Sequence, residues 1–371
     1  MMSQILPPIS ATKGHIQGLN GLRCLSIMIV IIGHFFLGEY SGISSLGVYI
    51  FFVISGFLIT RLLLAEAKET GDVKIGAFYY RRFLRLFPVL IVYMLAVTVF
   101  AQMYAIPTPL IEIASVFLYF VNYLKSYYEL AGTQHILPIG VLWSLSVEEH
   151  FYLIAPLFIV FVRASPGKVL AFSIAMIVLP LAIRIGYVIA WPEWSNTNRI
   201  YMASETRFDS IAYGVFLAAL CELRPEGRLR RAISSPHALV AGVALLALST
   251  VIRDDFFRDT LRYSMRSLGA LLIVAPLVFS PRLGWLQDMA NSPPADWIGR
   301  LSYSLYIWHG AAWFFLSNVG MTKTVLTSFA ELGVTFILAV ASYYLIEMPV
   351  LRWRNRISSR RKGAVGESAT A

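Results

Sequence analysis

The chain has 371 residues, of which 57% are hydrophobic and only 14% are charged, and its mean hydropathy is +0.67. Soluble domains carry about 25% charged residues, so this composition excludes an ordinary soluble protein and predicts one that crosses the membrane several times. The formal net charge of +10 comes from short basic clusters between apolar runs, a pattern typical of orientation signals, and nucleic acid is discounted as a partner. Cys24 and Cys221 lie in or beside apolar runs, which argues against a disulfide framework or a cysteine metal site.

Eleven apolar segments follow one another, and no cleavable apolar region precedes the first, which we expect to anchor the protein. They lie near residues 24–37, 45–64, 83–104, 110–124, 145–162, 169–191, 208–223, 238–252, 268–280, 298–319 and 325–346. Basic clusters at 61–85, 224–231 and 352–362 predict cytoplasmic connections and a cytoplasmic carboxyl terminus. This orientation requires one segment not to cross. Residues 110–124 are short for a span of about 20 residues and include Glu112, so we expect them to be re-entrant or interfacial.

The predicted fold class is therefore all-α: a polytopic integral membrane helical bundle of about ten transmembrane helices with both termini in the cytoplasm. Residues 1–16 are predicted to form an N-terminal cytoplasmic segment, residues 17–352 the transmembrane domain, and residues 353–371 a basic, disordered cytoplasmic tail. Four arginines fit this topology poorly, because it places them outside or in the outer half of a helix: Arg253, Arg258, Arg262 and Arg266.

The first apolar segment carries an arginine and a histidine eleven positions apart, Arg23 and His34. On a helix this spacing returns the two side chains to nearly the same face, about 16 Å apart. Ionisable residues in lipid usually face a bundle interior or a water-filled cavity, which favours a functional pair. The alternative is that Arg23 marks the cytoplasmic helix end and His34 is a hydrogen-bonded interior histidine.

A basic cluster precedes the third segment, where Arg82 and Arg85 share one helix face and Arg81 lies beside them. Two guanidinium groups at this spacing are suited to clamping phosphates. The competing interpretation, favoured by the spacing alone, is a topology signal that also contacts anionic lipid headgroups. In the preceding span, Ser55 and Gly56 are small residues typical of close helix packing.

Later motifs place polar residues inside apolar segments. Glu148 and Glu149 are adjacent in a run that begins at Trp143, and since adjacent helical positions point about 100° apart, at most one of them is expected to face a reaction centre. Arg207 and Asp209 begin another span, and a polar, aromatic helix face near residue 300 ends at a second mid-span histidine, His309. The histidines have no metal-binding spacing, so no metal is expected.

Together these motifs resemble the membrane-bound acyltransferase-3 family. The resemblance covers nearly the whole chain, about residues 17–352, and its specificity lies in the order of the motifs. The matching residues are Leu19-Asn20-Gly21-Leu22 with Arg23 to His34, Phe51 to Ile59, Arg82 to Pro88, Trp143 to Leu153, Arg207-Phe208-Asp209, Ile298 to His309, and Glu347-Met348-Pro349. The chain resembles the stand-alone form of the family, without an appended extracytoplasmic domain.

The resemblance implies an O-acetyltransferase, an acyltransferase for groups other than amino-acyl groups. It would move an acyl group, most often acetyl, from cytoplasmic acyl-CoA to a hydroxyl of a cell-surface glycan, lipo-oligosaccharide or exported natural product. The implied partners are acyl-CoA, a carbohydrate or glycolipid acceptor and the lipid bilayer, with no tightly bound cofactor.

The resemblance also implies roles for individual residues. Arg82 and Arg85, with Arg81 as a third contact, would bind the donor phosphates. His34 would act as base or carry the acyl group, and Arg23 would hold the donor or the developing charge. Glu148 or Glu149, with Glu149 slightly favoured by its place in the motif, would orient His34 or bind acceptor hydroxyls. Further candidate pocket residues are Ser55, Trp143, Ser146, Arg207, Asp209, Tyr303 and His309.

A second hypothesis is a proton-coupled transporter of a small polar solute or glycan precursor, since intramembrane ionisable residues also mark such pathways. The residues that suggest it are Arg23, His34, Arg184, Glu331 and His309. The sequence has neither an inverted repeat nor paired broken helices, which transporters often show. For a sugar acceptor, the aromatic and amide residues of a predicted outer loop are candidates: Trp191, Trp194, Asn196 and Asn198.

Overall fold

A computed structural model describes residues 18–38, 42–354 and 356, and within these ranges all regular secondary structure is helical. The predicted segment 1–16 and nearly all of the tail 353–371 lie outside the described residues. The α-helices are α1 (Leu19–Ile32), α2 (Ser44–Thr70), α3 (Ile75–Met103), α4 (Leu110–Phe117), α5 (Val121–Leu130), α6 (Trp143–Phe161), α7 (Pro166–Ala190), α8 (Asn198–Met202), α9 (Ser204–Leu223), α10 (Arg228–Ile233), α11 (Pro236–Val251), α12 (Asp255–Asp259), α13 (Leu261–Phe279), α14 (Gly284–Ala290), α15 (Pro293–Asn318) and α16 (Val325–Ser342).

Seven helical stretches in the described ranges are long and apolar enough to cross a membrane. They are Leu19–Leu37, Ser44–Thr70, Ile75–Met103, Gly140–Phe161, Pro166–Ala190, Leu261–Phe279 and Val325–Arg354. An all-α, multi-pass membrane protein is therefore confirmed, whereas the count of ten spans is not. The other three predicted spans coincide with α9, α11 and α15. Helix α11 has only 16 residues, and α9 and α15 carry charged side chains in their first turns.

Residues 110–124 do not form one continuous helix. The chain forms α4 and α5, of 8 and 10 residues, and each is shorter than the roughly 20 residues of a span. Glu112 is buried, and its carboxylate accepts the backbone N–H groups of Ile136 at 2.9 Å and Leu137 at 2.8 Å. Such bonds compensate a charge removed from water, which explains an acidic residue in this apolar segment.

Small residues bring the central helices into close contact. A Cβ atom at Gly214 of α9 would lie 2.0 Å from the carbonyl oxygen of Val53 in α2, and one at Gly56 would lie 2.1 Å from that of Ile211 in α9. The close helix packing predicted at Gly56 therefore occurs between α2 and α9. On the outside of the bundle, large apolar side chains are exposed, among them Leu95, Phe161 and Leu345, as expected of a surface that faces lipid.

Candidate active site

His34 lies in a π-helical turn that continues α1. The turn comprises Gly33–Leu37, and at its start a Cβ atom on Gly33 would lie 2.5 Å from the backbone of Ser44. The turn follows directly on α1, because the N–H of Gly33 still bonds to the carbonyl oxygens of Ile29 and Val30. Single π turns inside helices are often found at functional sites. The eleven-residue spacing from Arg23 therefore crosses from α-helix into a wider turn.

The arginine cavity, as we name a half-open space lined by α1, α2, α3, α6 and α15, spans about 750 Å³ including the open solvent at its mouth. Its polar wall gathers residues from distant parts of the chain: Arg23, Ser55, Arg82, Arg85, Glu148 and Tyr303. Three guanidinium groups and one carboxylate thus face the same space. This surplus of positive charge suits an anionic, phosphate-bearing ligand.

Aromatic rings hold Arg82 at the wall of the arginine cavity. Its guanidinium lies 4.6 Å from the ring centroid of Tyr152 and 5.7 Å from that of Phe78, distances typical of cation–π contacts. Arg85 is one helical turn further along the same face of α3 and lines the same cavity. Arg81 points elsewhere, because it is exposed and forms a salt bridge of 3.2 Å with Glu66.

Glu148, rather than Glu149, lines the arginine cavity. The hydroxyl of Tyr152, one turn along α6, donates to a Glu148 oxygen over 3.5 Å and also bonds to the hydroxyl of Ser55. Glu149 is absent from the lining of both cavities, and its Oε1 is buried. Adjacent helical positions point about 100° apart, and the structure therefore places one of the two glutamates beside the arginines.

The histidine cavity, as we name the second space, contains His34 and encloses about 1410 Å³, mouth included. Its wall includes Trp143 and Tyr201, and also Asn196 and Asn198, which lie before and at the start of α8. These residues give it aromatic faces and amide groups. Burial raises the pKa of Tyr201 to about 12, so this hydroxyl stays protonated at neutral pH and can donate a hydrogen bond. Sugars are bound by combinations of this kind.

The two cavities meet at Val48 and Tyr306, which line both. Along α2, Ser44 and Ser45 face the histidine cavity, Val48 both cavities, and Ser55 the arginine cavity. The two spaces therefore follow one another along the axis of α2. Tyr306 is held in place between them, since its hydroxyl donates to the carbonyl oxygen of Val141 at 2.7 Å and lies 2.5 Å from the hydroxyl of Ser144.

The two histidines singled out in the sequence lie side by side. The rings of His34 and His309 stack with centroids 5.1 Å apart and an interplanar angle of 27°. His34 lines the cavity, whereas His309 is buried behind it. Nδ1 of His309 donates to the carbonyl oxygen of Tyr306 at 2.5 Å. Since Nδ1 carries the proton, Nε2 of a neutral His309 has the lone pair.

Other predicted site residues lie away from both cavities. Arg207 and Asp209 are fully buried. Asp209 forms a 2.8 Å salt bridge with Arg184, while Arg207 donates to the Tyr49 hydroxyl at 2.8 Å. Five rings surround its guanidinium, those of Tyr49, Phe52, Trp143, Tyr201 and Tyr263. Ser146 is also buried.

Of the four predicted outer-loop residues, Asn196 and Asn198 line the histidine cavity, whereas Trp191 and Trp194 stack on each other 4.9 Å apart.

Sequence reasoning missed Tyr152 and Tyr306. Tyr306 lies three positions after Tyr303 and three before His309, so helical spacing would have placed all three on one face of α15. Tyr152 lies four positions after Glu148 in α6, on the same face. Neither tyrosine is charged at neutral pH, so the pattern of charged residues in the sequence did not point to them.

The arrangement can perform chemistry across the bundle. An anionic donor in the arginine cavity and a polar acceptor in the histidine cavity would approach each other at Val48 and Tyr306, beside the imidazole of His34. Histidine suits proton transfer near neutral pH. Two of the ionisable residues cited for a transporter form salt bridges instead: Glu331 accepts from Lys323 at 2.6 Å, and Arg184 donates to Asp209 at 2.8 Å.

Comparison with known proteins points to one family. The acyltransferase-3 family model, described as an acyltransferase domain, matches residues 16–348. O-acetyltransferase OatA of Staphylococcus aureus (strain NCTC 8325 / PS 47) is 31% identical over 357 residues, which cover 91% of this chain and 57% of the relative. SACOL0978 of S. aureus (strain COL), provisionally named an O-acetyltransferase, is 30% identical over 367 residues, covering 92% of this chain and 59% of the relative.

The chain thus spans less than two thirds of the length of these relatives. No solved structure matches it. The family model nevertheless covers nearly the whole described chain and includes every residue that lines the arginine cavity. This protein belongs to the acyltransferase-3 family.

Proposed function

We propose that the chain is an integral-membrane O-acetyltransferase that moves an acetyl group from acetyl-CoA to a hydroxyl of a cell-surface or exported glycan. The observation that carries the proposal is the junction of the two cavities at Val48 and Tyr306, with three arginines on one side and His34 on the other. The reaction type is supported by the relatives, since OatA is named an O-acetyltransferase and SACOL0978 is provisionally named one.

The donor would bind in the arginine cavity. Arg82 and Arg85 lie near the start of α3, beside the basic connection that the charge distribution assigns to the cytoplasm, where coenzyme A is available. Their guanidinium groups would hold the nucleotide phosphates. The long pantetheine arm would then bring the thioester along α2 towards Tyr306, without moving the charged nucleotide into the membrane.

The acceptor would enter the histidine cavity from the opposite side. Its hydroxyl oxygen would attack the thioester carbonyl carbon while His34 takes the hydroxyl proton. The new C–O bond forms as the C–S bond breaks, and the proton passes from His34 to the departing thiolate, which leaves as coenzyme A. Arg23 would help to hold the donor, because it lines the arginine cavity and lies about three helical turns from His34.

A two-step route uses the same residues. His34 would first take the acetyl group from coenzyme A and then pass it to the acceptor hydroxyl. In this route coenzyme A could leave the arginine cavity before the acceptor enters the histidine cavity. Two cavities that share a wall at Val48 and Tyr306 would permit this order. Rapid quenching with labelled acetyl-CoA and no acceptor distinguishes the routes, since only the two-step route leaves label on the protein.

The reaction is tested by measuring acetyl esters on surface glycans and exported metabolites, by mass spectrometry, in cells with the gene, without it, and complemented with it. We expect one class of glycan to lose acetyl esters when the gene is absent and to regain them on complementation. The purified protein in lipid nanodiscs should then transfer labelled acetyl from acetyl-CoA to that glycan. Identical acetylation in all three strains, with no transfer in nanodiscs, would contradict the proposal.

A further inference from the structure

The wall of the histidine cavity carries more positive than negative charge. Its charged residues are Lys125, Arg258, Asp259, Arg262 and Arg266. The carboxylate of Asp259 is buried and accepts two hydrogen bonds, one from the hydroxyl of Ser195 and one from the backbone N–H of Asn196. Arg258 forms a 3.3 Å salt bridge with Asp255. Asp259 is thus the one carboxylate among the described residues of this wall, and it forms no salt bridge with them, so the wall keeps a net positive charge.

Arg266 is the most buried of these cations, with 4% of its surface exposed. Its Nε donates to the hydroxyl of Ser249 at 3.0 Å and its Nη1 to that of Ser45 at 2.8 Å. No salt bridge within the described parts of the chain includes Arg266 or Arg262. Buried charges are normally paired with an opposite charge, and hydroxyl groups supply none.

Arg262 lies one helical turn before Arg266 on α13. It is partly exposed, and its guanidinium lies 5.3 Å from the ring centroid of Tyr263. Both arginines line the same cavity as His34. The wall thus presents two guanidinium groups without a carboxylate partner next to the proposed reaction centre, an arrangement suited to binding a carboxylate or a phosphate.

We propose that the histidine cavity takes an acceptor that carries an anionic group, a carboxylate or a phosphate, and that Arg262 and Arg266 bind that group. The identification of this ligand as the acceptor rests on the proposed O-acetyltransferase function. Asn196, Asn198 and Tyr201 supply hydrogen bonds for the neutral part of the sugar. The proposal also explains two of the four arginines on the outer side of the predicted topology, Arg262 and Arg266, since a ligand site retains them there against the orientation rule.

The test is a binding measurement that does not depend on acetyl transfer. Full-length protein in neutral-lipid nanodiscs is titrated with four probes: a uronic acid disaccharide, its carboxyl-reduced form, a disaccharide phosphate and the unphosphorylated disaccharide. We expect one anionic probe to bind about tenfold or more tightly than its neutral counterpart, as charge-assisted hydrogen bonds provide. The pair that shows the difference identifies carboxylate or phosphate as the group bound.

Arg262→Gln should remove that preference, whereas Arg253→Gln, which changes an exposed arginine of the same region that does not line the cavity, should leave it unchanged. Raising the ionic strength should weaken the binding of the anionic probe only. This test uses the parent protein and needs no substitution of a buried residue. Equal binding of anionic and neutral probes, or equal effects of Arg262→Gln and Arg253→Gln, would overturn the inference. A charge preference in a protein that transfers no acetyl group would instead uphold the anion site and refute the proposed reaction.

Discussion

The imidazole rings of His34 and His309 stack 5.1 Å apart, although 275 positions separate them in the chain. His309 fixes its own orientation by donating from Nδ1 to the carbonyl oxygen of Tyr306. This leaves Nε2 of a neutral ring as an acceptor. We infer that His309 positions His34 and stabilises it when it carries the proton.

The role of His309 beside His34 can be tested by two substitutions. His309→Phe keeps an aromatic ring beside His34 but removes both nitrogen atoms, whereas His309→Ala removes the ring as well. We expect both variants to lower kcat for acetyl transfer about tenfold, equivalent to about 1.4 kcal/mol, because neither a phenyl ring nor a methyl group has the polar nitrogen atoms that stabilise a neighbouring imidazolium. His309→Phe should keep the Tm closer to that of the parent. A His309→Phe protein with parental kcat would show that only packing matters at this position.

The donor site is tested by changing Arg82 and Arg85 together to alanine. Because both guanidinium groups line the arginine cavity and charge-assisted bonds are worth about 1.5–3 kcal/mol each, the KM for acetyl-CoA should rise at least about tenfold. Arg81→Ala is the matched control, since Arg81 pairs with Glu66 outside the cavity. If the folded double variant keeps the parental KM, the phosphates bind elsewhere.

Orientation in the membrane is tested by labelling single cysteines in intact cells, after Cys24 and Cys221 have been replaced. An impermeant reagent should label a cysteine near Asn196 and spare those near Lys74 and Arg228, because the basic clusters predict that the latter face the cytoplasm. Permeabilised cells provide the control, in which all three positions should react. Labelling at Lys74 in intact cells would reverse the topology and with it the assignment of donor and acceptor sides.

The α2–α9 contact gives a prediction about stability. Gly214→Ala would place a Cβ atom 2.0 Å from the carbonyl oxygen of Val53, and backbone at this distance must move, at a cost of about 1–3 kcal/mol. The variant should therefore unfold at a lower temperature in detergent. Gly186→Ala, where a Cβ atom meets nothing within 4 Å, should unfold at or slightly above the parental temperature. Equal unfolding temperatures for the two variants would contradict the packing argument.

The membrane-embedded helical fold was predictable because hydropathy reports directly on helices that face lipid. It was a poorer guide to α9 and α15, whose inward faces bury polar residues such as Arg207 and Ser304. The shared face of Arg82 and Arg85 followed from helical spacing alone. The π turn at His34 and the packing of Arg207 among five rings depend on contacts between distant segments, which a single sequence does not reveal.

His34 is proposed to perform the proton or acyl transfer, and the most direct test compares His34→Ala with the parent protein in nanodiscs. Three quantities are needed: the rate of labelled acetyl transfer from acetyl-CoA, the Kd for the donor and the Tm. Loss of general-base catalysis lowers rates about 10² to 10⁴-fold. We therefore expect a loss of this size with donor binding and Tm close to parental values. A stable His34→Ala protein that transfers acetyl at near the parental rate would contradict the account, and an inactive His309→Ala beside it would assign the role to His309.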